Sequence, residues 1–507
     1  MIAQALGWLV LAGAALALMV TVGRRAVAHG IIVPVVVGLI LRVVVMVIAH
    51  AGSVSLGDHG IFFLDDETYR HGAVVLSDLW RGGHTPDPSR YNVLGTYQYG
   101  YQLYLAAIFT LGTSSVLLGK LWNVLLGSAT VYLVGRLGGQ LLGERAKVRA
   151  AWIAALAPGM VWWSATLMKE TFATWLLALG LLAVTALPRP KAVAVLAAVL
   201  VALTVARGPS ALALIVGAGV ALAVAGRQAE GRWLSRPLIA FATTLAVGFV
   251  AVVAIVSRGN LHSFFMQYDQ VVRNMFEAYG GGDITRAPYN AVKSLVTPLP
   301  WVFDSNTYNW DRMLYPDVWL LFCALPLAGL GAWRLRRRPE AWAILATIAV
   351  ALVLNSVTGG FTFRQRSMLE PLILLLALAG VRSWRMAART AAAALGLVAV
   401  IAAVQSRSPL TAVLIASAAG AMLLLSRRLG ERMYDPLPGS PMVASVRASL
   451  RSAPPSGATT SNRVLAEVKR TLRLALVGFR TARAAVVRLA PPLRAAPTPV
   501  TERKDGE

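Results

Sequence analysis

Leu103-Tyr104-Leu105-Ala106-Ala107-Ile108-Phe109-Thr110-Leu111-Gly112-Thr113-Ser114-Ser115-Val116-Leu117-Leu118 decides the topology of this chain. If the run crosses a membrane, every later loop changes side. Arg145, Lys147 and Arg149 would then lie outside, with Arg334, Arg336, Arg337 and Arg338. Lys and Arg concentrate in loops on the cytoplasmic side of membrane proteins. The run therefore reads as an outer-side helix that does not cross.

The membrane reading itself comes from composition. Of 507 residues, 57% are hydrophobic and only 14% are charged, and the mean hydropathy is +0.63. A soluble chain does not carry a dozen apolar runs of spanning length. The net charge of +25 fits arginine-rich cytoplasmic loops better than a nucleic-acid partner. One cysteine, Cys323, excludes an intramolecular disulfide and a cysteine-based metal site, and the six histidines form no ligand-spaced cluster.

Working outward, Ile2 to Val22 is followed, not preceded, by Arg24-Arg25. It reads as a membrane anchor with its N-terminus outside rather than as a cleaved signal peptide. The run Ile31 to Ala49 returns outward and carries Arg42 in mid-span, where the guanidinium must face protein or an internal carboxylate. Spans then alternate over Leu121–Leu141, Ala150–Thr166, Thr171–Leu187, Ala192–Ala206, Ser210–Ala225 and Pro237–Val256. Five more follow, from Pro316–Trp333 to Pro409–Ser426, giving about thirteen membrane helices. The expected fold is an all-α polytopic bundle with outer-face juxtamembrane helices. The domains read as an anchor over 1–30, a transmembrane region over 31–426 and a cytoplasmic part over 427–507. Outer loops are expected at about 51–117 and 257–315. Pro, Ser and Ala dominate Pro436 to Ser461, a linker by composition. Arg463 to Leu489 reads as a basic amphipathic helix for the anionic inner leaflet.

The chemistry is expected in the first outer loop, at Leu64-Asp65-Asp66-Glu67-Thr68-Tyr69. Carboxylates beside a membrane are costly to desolvate and are usually kept for work, although acids also suit the first turn of a helix. Helical spacing runs from Asp66 to Trp80, and His71 reads equally as a helix-face residue. Tyr91, Tyr97, Tyr99, Tyr101 and Tyr104 read as interfacial anchors, with sugar stacking as the other reading. Later outer turns bring Lys169-Glu170, Arg207 and the pair Arg364 and Arg366 to the same face. Arg207 reads equally as a snorkelling side chain. Acids beside bases on one face suit one reaction. A carboxylate takes a proton from an acceptor hydroxyl, and the basic groups hold a phosphate leaving group.

The chain resembles the GT-C superfamily of membrane glycosyltransferases. Within it, the likeness is to the bacterial family related to protein O-mannosyltransferases and lipid A aminoarabinose transferases. Asp66-Glu67-Thr68-Tyr69 carries the first part of the likeness. Gly119-Lys120-Leu121-Trp122-Asn123, Pro158 and Ser164 to Glu170 carry the second. Arg364-Gln365-Arg366 with Glu370-Pro371 carries the third, and together they cover about residues 31–381. The resemblance implies inverting transfer of a sugar from a polyprenyl-phosphate donor to a glycan, lipid or protein acceptor on the outer face. It implies Asp66 as general base with Asp65 as rival, and Glu67 as an orienting group. Glu170 takes the place of a second outer-loop acid, and Arg364 and Arg366 bind the donor phosphate. Some relatives use a divalent cation near these acids; the sequence leaves the metal open. A polymerase or ligase using lipid diphosphate-linked glycans is the alternative enzyme. A transporter would place charges near the bilayer midplane, where the sequence shows only Arg42. A purely structural membrane protein would leave the acid triplet unexplained.

Overall fold

In a computed structural model, described for residues 2–82, 99–231, 314–357, 366–381, 384–405, 409–428 and 439–451 with residues 238, 241, 242 and 295, the chain is helical and holds no strand among those residues. It divides into two compact units, residues 1–237 with 265–453 and residues 238–264 with 454–507. The second lies almost wholly outside the described residues, as do most of the outer loop expected over 257–315 and the basic segment Arg463 to Leu489. Everything below concerns the first unit.

Fifteen helices are described there. They begin with α1 (Ile2–Ala28), α2 (Ile32–Ser55), α3 (Leu64–Trp80), α4 (Tyr99–Leu111) and α5 (Val116–Leu142). Next come α6 (Glu144–Leu156), α7 (Pro158–Ser164), α8 (Glu170–Thr185) and α9 (Pro190–Glu230). The later helices are α10 (Tyr315–Leu335), α11 (Pro339–Val357), α12 (Glu370–Gly380), α13 (Trp384–Gln405), α14 (Pro409–Arg428) and α15 (Pro441–Arg451). Five are long and apolar enough to cross a membrane: Gln4–Ala28, Ile32–Ser55, Val116–Leu142, Pro190–Ala229 and Tyr315–Leu335. That is the mark of a multi-pass membrane protein. The other apolar helices are shorter, among them Glu170–Thr185 and Glu370–Gly380.

The run that decided the topology is split. Its first part belongs to α4 (Tyr99–Leu111), 13 residues long. At 1.5 Å per residue that is about 20 Å, well short of a ~30 Å hydrocarbon core. Gly112 to Ser115 then leave the helix, and Val116 to Leu118 open α5. Helix α4 packs on α3. Arg81, at the C-cap of α3, donates to the carbonyls of Thr110 at 3.2 Å and Gly112 at 2.9 Å, groups that the end of α4 would otherwise leave unsatisfied.

Helix α5 is the axis of the unit: 72% of its apolar window is buried, against 17% for α1. It packs against α2, α6 and α8. Helices α10 and α12 meet at two glycines. A Cβ on Gly331 would lie 1.8 Å from the Leu376 carbonyl oxygen, and one on Gly380 would lie 2.0 Å from that of Leu327. Small residues permit this approach of one backbone to another.

Two expectations are corrected, and one break falls where the sequence places it. The span expected over Ala150–Thr166 is two helices, α6 and α7, because Pro158 has no N–H and cannot continue the ladder. Helix α9 is broken at Arg207 (φ −163°, ψ 80°), just before Gly208-Pro209, which is where the two spans expected over 192–225 part. The linker expected from Pro436 contains α15. Ser440 accepts the Val443 N–H at 3.1 Å as an N-cap and donates to Glu340 at 2.6 Å, and Met442 N–H donates to the same oxygen at 3.0 Å. Met442 and Val446 are buried. Composition reads such a segment as a linker because the contacts that fold it are a hundred residues away.

Candidate functional site

Helix α3 is aimed by aromatics. Phe62 and Phe63, just ahead of it, lie 5.4 Å from the Trp162 ring and 5.6 Å from the Trp163 ring. One turn into the helix, Tyr69 meets Tyr101 edge-on at 5.2 Å, within the preferred range for aromatic pairs. Tyr101 is wholly buried, a core residue rather than the interfacial anchor expected of it. With Phe63 and Tyr69 turned inward, Asp66 is turned inward too and is fully buried.

The three acids of the first turn therefore part company. Asp66 Oδ2 accepts the Phe62 N–H at 3.2 Å, as a carboxylate at the third helical position reaches back over the helix start. Its Oδ1 is buried and, among the described residues, accepts no hydrogen bond. Asp65 is half-buried. Glu67 is half-exposed and pairs with Arg70 at 3.3 Å. His71 is exposed. Burial pushes the Asp66 carboxyl from 3.8 up to about 7; the Lys120 charge and the Phe62 N–H oppose the rise, and Glu170 and Asp65 add to it.

Lys120, on the first turn of α5, is fully buried. Its Nζ donates to the Gly60 carbonyl at 2.6 Å and sits 3.8 Å from the centre of the Phe62 ring. One turn further along α5, Asn123 Nδ2 donates to Tyr101 Oη at 2.9 Å and to the carbonyls of Thr166 at 2.9 Å and Met168 at 3.1 Å. Those carbonyls belong to the irregular turn between α7 and α8. Lys120 thus holds the segment leading into α3, and Asn123 holds the turn leading into α8.

That turn carries Lys169 and Glu170. Lys169 is buried, with Nζ 5.4 Å from the Tyr69 ring centre. Glu170 opens α8 and reaches the other way, pairing through Oε1 with Arg207 Nη1 at 3.1 Å, both side chains buried. Arg207 is the residue at the break in α9. Asp66, Lys169, Glu170 and Arg207 are thus brought into one neighbourhood, joined by Lys120 and Asn123, which sequence reasoning did not single out as site residues. A lysine in the first turn of an apolar helix was the available signal.

A second polar group lies deeper. Pro158 leaves carbonyls at the end of α6 without partners, and Arg42 supplies them. Its Nη2 donates to Ala154 O at 2.9 Å, its Nη1 to Ala155 O at 3.2 Å and Gly38 O at 3.0 Å, and its Nε to Ser164 Oγ at 3.3 Å. Arg42 faces the protein interior, as its position in α2 required. Beside it, Asp317 of α10 accepts the Gly159 N–H at 3.2 Å and pairs with Arg366 Nη2 at 3.0 Å. Arg366 Nη1 also donates to Leu295 O at 3.2 Å. Glu370, fully buried, opens α12 next to them, against the Asp317 carboxylate. A Cβ on Gly159 would lie 2.4 Å from Glu370 Oε2 and 2.7 Å from Asp317 Cγ, so a larger residue there would displace these carboxylates. Arg366 is therefore engaged by a carboxylate in this structure, and Arg364 lies outside the described residues. Asp317 and Glu370 are further buried charges that sequence reasoning did not place here. The partners of Asp317 lie 158 residues away at Gly159 and 49 residues away at Arg366.

Among the described residues no three His, Cys, Asp or Glu side chains converge as a metal ion would need.

No family model matches the chain, and no curated protein matches it. Among solved structures it is similar to ArnT from Cupriavidus metallidurans, crystallised with undecaprenyl phosphate bound. The two share 15% identity over 82% of this chain and 74% of that one, with a TM-score of 0.43.

Proposed function

We propose that the protein is a GT-C-type glycosyltransferase that moves a sugar from a polyprenyl-phosphate donor to an acceptor at the outer face of the membrane. One observation carries the reading: Asp66 is buried, keeps one carboxylate oxygen without a partner among the described residues and is pushed up to about 7. A base poised near neutrality is what proton abstraction from a hydroxyl needs.

In this mechanism Asp66 Oδ1 takes the acceptor's hydroxyl proton. The acceptor oxygen bonds to the anomeric carbon as the bond from that carbon to the phosphate oxygen breaks, with inversion. The polyprenyl phosphate leaves with the bonding electron pair, and the basic groups of the site stabilise its charge. Lys169, Arg207, Arg364 and Arg366 are assigned that part, with Glu170 fixing Arg207 through the pair at 3.1 Å. Asp65 and Glu67, less buried, flank the base.

Transfer of labelled sugar from polyprenyl-phosphate donors by purified protein tests this, with Asp66→Asn as control. Wild-type turnover that the variant lacks supports the reading, and full activity of Asp66→Asn sinks it. A polymerase or ligase acting on lipid diphosphate-linked glycans is the enzyme to assay next if no monosaccharide donor works.

The deeper group favours a second reading. Arg42, Asp317, Arg366 and Glu370 are buried beside a helix broken at Pro158. Broken helices around buried charges are the way transporters build midplane sites. Uptake of labelled lipid-linked sugar into vesicles, in a protein without transfer activity, would establish it.

A further inference from the structure

Asp66 and Lys120 lie near enough for the charge of each to act on the other. Among the described residues no ion pair within 4.0 Å joins them, although the Lys120 charge acts on Asp66. We infer that Lys120 is a positioning residue of this site: it holds the segment ahead of α3 in place and sets how readily Asp66 takes a proton. The inference rests on the reading of Asp66 as the base.

Lys120 is fully buried, and among the described residues its one hydrogen bond goes to a neutral acceptor, the Gly60 carbonyl at 2.6 Å. A buried ammonium held only by a carbonyl and an aromatic face costs free energy unless a compensating anion lies near. Asp66 is that anion. The same lysine reaches Asp66 a second way, through the backbone. Gly60 lies two residues before Phe62, whose N–H binds Asp66 Oδ2 at 3.2 Å and whose ring lies under the ammonium at 3.8 Å. One side chain therefore fixes both the geometry of the base and the field around it.

The other charged groups near the pair set the background. Asp65 adds negative charge from α3 itself, and Glu170 adds it from α8 while held by Arg207 of α9. Lys169, also on α8, lies against the Tyr69 ring. Tyr101 of α4 feels the Asp66 charge, and His50 of α2 lies beside Gly60 and feels that of Lys120. Lys120 is first among the neighbouring charges that favour ionised Asp66. Without it, the carboxyl holds its proton to higher pH.

The test is the pH dependence of sugar transfer for wild type, Lys120→Met, Lys120→Gln and Lys120→Arg in detergent. With the neutral variants, the acid limb of the profile moves to higher pH by about one unit or more, with activity partly regained on the alkaline side. Lys120→Gln keeps a donor for the Gly60 carbonyl and gives the same reading should Lys120→Met not fold. Lys120→Arg keeps the charge and leaves the limb in place. A lower rate with an unmoved limb in both neutral variants would overturn the inference and reduce Lys120 to a structural residue. A second readout is independent of activity. Carbodiimide labels protonated carboxyls, and its pH dependence at Asp66, followed by peptide mass, shifts upward in Lys120→Gln. If Asp66→Asn stays active while the labelling shift is seen, the role of Asp66 as base fails and its coupling to Lys120 stands.

Discussion

Asp317 divides its carboxylate between Arg366, at 3.0 Å, and the backbone N–H of Gly159, at 3.2 Å. Three elements distant in sequence, α7, α10 and the segment ahead of α12, are tied by this one side chain. Removing one partner of a buried pair strands the other, which costs about 3–5 kcal/mol. Asp317→Ala is therefore expected to lower thermal stability in detergent sharply. Asp317→Asn, which keeps an acceptor, costs less. A loss below about 1 kcal/mol in Asp317→Ala, the range of an exposed pair, would show that the pair does not hold these helices.

The glycine at that junction makes a separate prediction. A methyl group at position 159 would fall on Glu370 Oε2 at 2.4 Å and Asp317 Cγ at 2.7 Å. Overpacking of a filled interior costs about 1–3 kcal/mol, so Gly159→Ala should melt earlier. Gly219→Ala is the control. It lies in α9 with nothing within 4 Å of the added Cβ, and alanine is the better helix former, so it should melt no earlier than wild type.

Arg42 predicts a loss that charge alone does not rescue. Its planar fork serves three carbonyls and a hydroxyl at once. Lysine has the charge but not the geometry. Arg42→Lys should therefore yield much less folded protein than wild type, and Arg42→Met less still, since each stranded acceptor costs about 1–3 kcal/mol. Gel filtration of the two variants in detergent checks this. Wild-type yield of Arg42→Lys would mean that the α6 carbonyls find other partners.

The sequence made some of this legible and hid the rest for identifiable reasons. Arg42 was readable because a guanidinium in mid-span has few tolerable surroundings. Helix α3 was readable from its spacing, and its start at Leu64 falls two residues before the expected one. Pro158 breaks the run Ala150–Thr166, and the apolar residues on both sides of it hide that break in the sequence. In this structure Arg207 is paired with Glu170 and Arg366 with Asp317, contacts made across helices that no local pattern predicts.

Asp66 yields the last prediction, in which activity and stability move in opposite directions. Its carboxyl is raised from 3.8 in the unfolded chain to about 7 in the fold, chiefly by burial. A group raised in this way favours the folded state while protonated. That contribution is fully present below about pH 3.8 and is lost as the pH rises through about 7. Above neutrality the wild type must keep a buried carboxylate ionised with one oxygen unpartnered. Asp66→Asn has nearly the same shape and never ionises. The variant should therefore lose transfer activity yet melt higher than wild type at pH 8 to 9, with the gap closing toward pH 5. Melting curves across that range check it, since one pKa unit corresponds to about 1.4 kcal/mol. If the wild type instead gains on the variant as pH rises, the ionised Asp66 is better stabilised than its burial implies. Lys120 and the Phe62 N–H would then outweigh desolvation, and the base would be ionised well below neutrality.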